Sequence, residues 1–79
     1  MKVNIQVSLY PLGTEKLGEK IMDAIQVLRD ANLETHTNPM STIISCELDD
    51  GMSTLGKMFE HIAKNGQAVM TVTVSNACG

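Results

Sequence analysis

The ten residues NPMSTIISCE, Asn38 to Glu47, form the most informative group of side chains in the chain. Ser41, Thr42 and Ser45 are neutral hydroxyls, each able to donate one hydrogen bond and accept others. Glu47 adds a single carboxylate. A strand built for packing alone would set apolar residues against charged ones. Apolar residues mixed with hydroxyls suit a small polar ligand instead. An enzyme nucleophile needs a base beside it, and none stands here.

The remaining reactive side chains are scattered. His36 and His61 fall on different elements and read as exposed. Cys46 has the parity of a core residue, and Cys78 lies next to the C-terminus. That spacing fits neither a disulfide framework nor a metal site, so both read as free thiols of a reducing cytoplasm. Asp49–Asp50 precedes Gly51 and reads as a solvated turn. No phosphate-cradling glycine loop, zinc motif or calcium loop is present. Of the six methionines, Met22, Met58 and Met70 read as packing residues, while Met40 sits in the turn beside the hydroxyls.

These side chains need elements to position them. Lys2 to Tyr10 alternates strictly, with Val3, Ile5, Val7 and Leu9 on one face, which predicts a strand that Pro11 ends. Thr14 is placed to cap a helix, with Glu15 in its first turn. Leu17, Ile21, Ala24, Ile25 and Leu28 make its apolar stripe, and Asn32 stops it. A short strand over Leu33–Thr37 and the turn at Asn38–Pro39 follow. The third strand runs Ser41–Leu48, with Asp49, Asp50 and Gly51 breaking it. A second helix capped by Ser53 carries Leu55, Met58, Phe59 and Ile62, and Asn65–Gly66 ends it. Gln67–Ser75 is the last strand, and Asn76 to Gly79 is expected to fray.

The order β-α-β-β-α-β predicts an α+β fold, the ferredoxin-like sandwich. It is a four-stranded antiparallel sheet with two helices on one face, one domain over residues 1–79. The uncovered face would carry Asn4, Gln6, Ser8, Tyr10, Ser41, Ile43, Ser45, Glu47, Val69, Thr71 and Thr73. Few of these are charged, so burial against a second copy is expected, as a homodimer or homotetramer through sheet faces or edges. A lone copy of 79 residues would be marginally stable, which points the same way. Gln6, Ser8, Ser41 and Thr42 converge where the first strand meets the proline turn. Tyr10 and Met40 can add apolar contact there, and Glu47 can offset a positive charge.

Composition removes several functions. A net charge of −3 lacks the clustered basic surface that nucleic acid requires. No apolar run is long enough to insert in a membrane. Lys2 is followed by alternation and not by an apolar stretch, so no secretory signal is expected and the location is read as cytoplasmic.

VNIQVSLYPLG at the start, combined with NPMSTIISCELDD in the middle, resembles the YkoF-like thiamine/hydroxymethylpyrimidine-binding family. The match is specific in a first strand that meets a proline and in a Pro-x-x-Thr turn leading to a strand with a terminal acidic residue. Here these are Pro11, then Pro39 to Thr42, then Glu47. The resemblance implies ferredoxin-like domains that bind thiamine or its pyrimidine without turning it over, so no enzyme and no cofactor beyond that ligand. It maps pyrimidine contacts onto Met40, Ser41 and Thr42, with Gln6 and Ser8 from the neighbouring strand, and it implies association through sheet faces. Similar single-domain proteins often continue past the last strand, whereas this sequence stops at Gly79, so its assembly is expected to differ from theirs. The role would be carrier, buffer or sensor. The alternative is a regulatory ferredoxin-like module that binds an amino acid or other small metabolite between protomers. Leu12–Gly13 leaves that open. An acylphosphatase-type enzyme would need an arginine after the first strand, where this chain has YPLGTEK; its one arginine is Arg29.

Overall fold

The computed structural model describes residues 1–13, 17–38, 41–64 and 66–77, with Leu17 by its backbone only. Thr14, Glu15, Pro39, Met40, Asn65 and Cys78 lie outside the described residues. The elements run β1 (Lys2–Leu12), α1 (Leu17–Asp30), β2 (Glu34–Thr37), β3 (Thr42–Glu47), α2 (Leu48–Ala63) and β4 (Gln67–Ser75). The strands form one antiparallel sheet in the order β2-β3-β1-β4. Each helix therefore carries the chain over one intervening strand. Val3, Ile5 and Val7 of β1 stand beside Cys46, Ile44 and Thr42 of β3. Together with Ala24 and Leu28 of α1 and Leu55, Met58 and Ile62 of α2 they make the core. This is the expected ferredoxin-like sandwich, with both helices on one face.

Asn32 ends α1 as expected. It adopts a left-handed φ of 59°. The Leu33 amide donates to the Leu28 carbonyl, and the Asn32 amide to the Arg29 carbonyl. These two bonds satisfy carbonyls that the helix end leaves open. Leu28 and Leu33 then meet at the core, which fixes where β2 begins.

Several expectations fail for physical reasons. Pro11 does not end β1, which continues to Leu12 and pairs Pro11 with Ala68. β3 has left β1 at Val7, so this stretch has a neighbour on one side only, and an edge tolerates proline. Asp49, Asp50 and Gly51 form no loop. α2 starts at Leu48, directly after β3, and the two aspartates lie in its first turn, where the helix dipole favours negative charge. Ser53 is therefore inside the helix; the N-cap residue is Glu47, with no side-chain cap bond. The Leu48 amide donates instead to the Met1 carbonyl at 2.8 Å. β2 is shorter than expected, and Met22 is not a packing residue, being 55% exposed, whereas Met58 is buried. At the C-terminal end the Ala77 amide donates to Ser75 Oγ at 3.0 Å, and the rest of the stretch expected to fray, Cys78 and Gly79, lies outside the described residues.

Gly51 is buried under the sheet. A Cβ placed on it would stand 2.6 Å from Ile5 Cδ1 and 2.7 Å from Cys46 Sγ. Only a residue without a side chain lets α2 lie this close to β1 and β3. Gly56, one and a half turns later, has nothing within 4 Å of the same position. Gly51→Ala should therefore destabilise the fold by ~1–3 kcal/mol through overpacking. Gly56→Ala should stabilise it by ~0.5–1 kcal/mol through helix propensity. Urea unfolding of the two variants beside the parent protein reads both signs.

Candidate ligand cavity

β1 and β3 pair from Lys2↔Glu47 to Val7↔Thr42. β2 and β3 also finish at Thr42, which pairs with Thr37. Beyond that point β1 continues with β4 alone, and β3 turns away toward Asn38. The turn is closed by Asn38. Its amide donates to the Ser41 carbonyl at 2.9 Å. Its side-chain oxygen accepts the Ser41 amide at 3.0 Å and the Ser41 hydroxyl at 3.4 Å. Asparagine suits this place because its short amide bonds nearby backbone.

The parting of the strands leaves a cavity of ≈ 220 Å³ between the sheet and α1. Its wall is apolar: Val7 and Leu9 of β1, Ile21, Ala24, Ile25 and Leu28 of α1, and Met58 of α2. Ser8 and Tyr10 of β1, and Thr37, Asn38, Ser41 and Thr42 around the turn, complete the lining. An apolar wall with a few convergent polar groups is the usual make-up of a small-molecule site. A broader hollow along α2 is lined by Lys57, Phe59, Glu60, His61 and Ala63 of that helix and by Lys64 just after it, and so encloses nothing.

Thr42 is the central polar group. It is 8% exposed and lies on the helix side of the sheet, opposite Val7. Its hydroxyl has no hydrogen-bond partner among the described residues. No fully occluded side-chain oxygen among those residues lacks a partner, so the hydroxyl opens on the cavity. Thr54, the other buried threonine, donates to the Asp50 carbonyl at 2.8 Å. A hydroxyl that makes no bond within the described chain and keeps some exposure is free to bond a ligand. Ser41 is already engaged. It donates to Asn38 and accepts a bond from Gln6 Nε2 at 3.2 Å, which leaves it acceptor capacity toward a ligand.

Of the residues singled out in the sequence, Ser8, Tyr10, Ser41 and Thr42 meet at the cavity. Gln6 stands just outside it, on the uncovered face, and reaches it through Ser41. Met40 lies outside the described residues. Glu47 does not join the site. It ends β3, five residue steps from Thr42 and so ~17 Å away along the strand. Its carboxylate accepts the Met1 ammonium at 2.9 Å, a bond that holds its pKa below the usual carboxylate range. Ser45, the third hydroxyl of the stretch, donates to Asn4 Oδ1 at 2.6 Å on the uncovered face. Thr37 and Asn38 line the cavity without having been picked out. The signal was available in Asn38, whose place before a proline marked a turn but not a wall.

Cys46 offers no chemistry to this cavity. Burial first, and then the carboxylate of Asp50, raise its thiol pKa. His36 and His61 are exposed, as expected, and His36 Nε2 stands 3.6 Å from the Glu34 carboxylate. No group of three or more His, Cys, Asp or Glu side chains with metal-holding geometry occurs among the described residues.

The fold is that of a ferredoxin-like domain, with a partly open cavity between the sheet and α1. The family model described as "thiamine-binding protein" matches residues 5–75, and the chain belongs to that family. Similar solved structures include a protein from Methanocaldococcus jannascii, at TM-score 0.90 and 23% identity over 98% of this chain and 81% of that one. Another, from Streptococcus pneumoniae, aligns at TM-score 0.90 and 20% identity over 99% and 89%. A third, from Thermotoga maritima and named for an expected role in thiamine biosynthesis or salvage, aligns at 0.84 and 18% over 95% and 83%. At these identities the likeness establishes the fold. No curated protein matches the sequence. No helix among the described residues is long and apolar enough to cross a membrane.

The raised Cys46 pKa has a sign that can be tested. The folded state favours the neutral thiol, so its contribution is complete below the unfolded value of ~8.5 and is lost as pH rises past it. In a Cys78→Ser background, Cys46 should resist a thiol reagent at pH 7.5 and react within the dead time once urea unfolds the chain. Fast labelling of the folded protein would show an accessible thiolate.

Proposed function

We propose that this protein binds thiamine or its hydroxymethylpyrimidine moiety, seating the pyrimidine ring in the cavity between α1 and the Asn38–Thr42 turn. It holds the ligand without turning it over and needs no further cofactor. The observation that carries this reading is the Thr42 hydroxyl, unpaired among the described residues, on a largely buried residue that lines a mostly apolar cavity. Family membership supplies the ligand class. At ≈ 220 Å³ the cavity falls below the ~300–1,000 Å³ of sites for drug-sized molecules, so it suits one ring and its substituents.

An aminopyrimidine edge offers a donating amino group next to an accepting ring nitrogen. Thr42 can donate to the nitrogen, and Ser41, whose proton is engaged with Asn38, can accept from the amino group. Ser8 and Tyr10 stand at the same end of β1. The thiazolium of thiamine would then emerge past Ser41, where an acidic chain of net charge −3 suits its positive charge. Such a protein would act in the cytoplasm as carrier, buffer or sensor, in an assembly of identical chains. An amino acid held between protomers would leave this internal cavity without a purpose.

Calorimetric titration with thiamine, hydroxymethylpyrimidine and a panel of amino acids tests the reading. Micromolar binding of the first two, ~8 kcal/mol at 1 μM, is expected, with no heat from the amino acids. Absence of heat with both at millimolar concentration would sink it. Thr42→Val keeps the shape and removes the hydroxyl. It should leave unfolding within ~0.5 kcal/mol of the parent, since no internal bond is lost, and weaken binding by ~1–2 kcal/mol. Equal affinity would take Thr42 out of the site.

A further inference from the structure

The hydrogen-bond direction of the Ser41 hydroxyl is set by its neighbours and can be traced from one fixed donor. A backbone amide only donates. The Ser41 amide lies 3.0 Å from the Asn38 side chain, so the atom it meets is the amide oxygen, Oδ1. That oxygen only accepts, so the Ser41 hydroxyl, 3.4 Å away, gives its one proton to it. Gln6 reaches the same hydroxyl at 3.2 Å. With the proton committed to Asn38, the atom that Gln6 brings is a donor, Nε2. Gln6 is placed to do this by the sheet. Its backbone is held between Ile43 on one side and Thr73 on the other. Ser41 precedes Ile43 by two residues, which makes it a diagonal neighbour on the same face, within reach of a long side chain. A hydroxyl oxygen has two lone pairs. Gln6 takes one, and the other remains on a residue that lines the cavity.

We infer that Gln6, from the uncovered face, fixes the Ser41 hydroxyl as an acceptor only, so that the site takes a ring with a donating amino group and refuses one with a carbonyl in its place. This selection rests on the proposed seating of a pyrimidine ring in the cavity. Exchanging the amino group for a carbonyl reverses the ring edge. The carbonyl accepts, and the ring nitrogen beside it carries a proton. Thr42, unpaired among the described residues, rotates to accept that proton and so tolerates either ring. Ser41 does not rotate while Asn38 and Gln6 hold it, and its lone pair then faces the lone pair of the carbonyl. Two acceptors set against each other both lose a hydrogen bond they make in water. Gln6 acts through Ser41 and is a positioning residue.

Competition calorimetry on the full chain tests this, with hydroxymethylpyrimidine against its counterpart that bears a carbonyl in place of the amino group. Both rings are neutral, so a change of charge at position 6 does not by itself favour one. The parent protein should prefer the amino form ~10–100-fold. Gln6→Leu frees the Ser41 hydroxyl to turn and should bring that preference below about threefold. Gln6→Lys keeps a donor at the same place and should restore it. A side chain that only supported the turn would weaken both rings together and leave their ratio alone. Gln6 is exposed, and circular dichroism confirms that both variants fold. Equal affinity of the parent for the two rings would overturn the selection and leave the proposed function standing. So would a ratio unchanged in Gln6→Leu, or one that falls as far in Gln6→Lys. Binding of neither ring would overturn the pyrimidine reading itself, and the selection with it.

Discussion

β1 and β3 stop pairing at Val7 and Thr42, and much of this structure follows from that point. β1 is held by β4 for five residues more, so it does not follow β3 into the turn. Asn38 pulls the start of β3 the other way by bonding the amide and hydroxyl of Ser41. Two strands held by different partners must part, and the space between them cannot be filled by a ladder. Thr42 then faces a cavity with its hydroxyl unpaired. Pro11 is admitted to a strand because the side facing β3 is vacant.

The helix layer sits unevenly on the sheet, and Gly51 is the reason at one end. Without a side chain there, α2 closes on Ile5 and Cys46. At the other end of β3 the wall side chains of α1, Ile21 and Ile25, stand back across ≈ 220 Å³. The layers form a wedge, tight at the Cys46 end and open at the Thr42 end. A direct passage from β3 into α2, with no loop, anchors the tight end. The open end carries Asn38 and Ser41. That division is the ordinary one between scaffold and site: a rigid frame holds a turn that supplies polar groups.

Much of this was legible in the residues. Period-two alternation in β1 and β4 and the helical stripes of α1 and α2 set element type and facing, because burial enforces both. Asn32 was readable as a stop because few other residues take its backbone angle. The errors came where tertiary contact overrides local preference. Asp-Asp-Gly reads as a turn, yet here the aspartates serve a helix N-terminus and the glycine serves close packing. Pro11 reads as a terminator only if both neighbours of β1 persist. For the site, hydroxyl density pointed to Ser41 and Thr42, but parity alone could not show that Thr42 opens on a cavity. Glu47 stands apart from the cavity for a simpler reason. It is close to Ser41 in sequence, but along a strand six residues are a long distance. The apolar wall was invisible as a wall, since a stripe that packs and a stripe that lines look alike in sequence.

A chain this small has little stability to spare, and a cavity in its core removes contacts that a larger side chain at Ala24 would restore. Filling it would be simple for a protein that needed only to fold. Keeping it open costs the empty protein dispersion contacts. A ligand that binds only the folded state would restore such contacts and shift the folding equilibrium by mass action. The parting of β1 and β3 therefore couples occupancy to folding. The residues around Thr42 that leave the unliganded core loosely filled are the ones a ligand would have to contact to fill it.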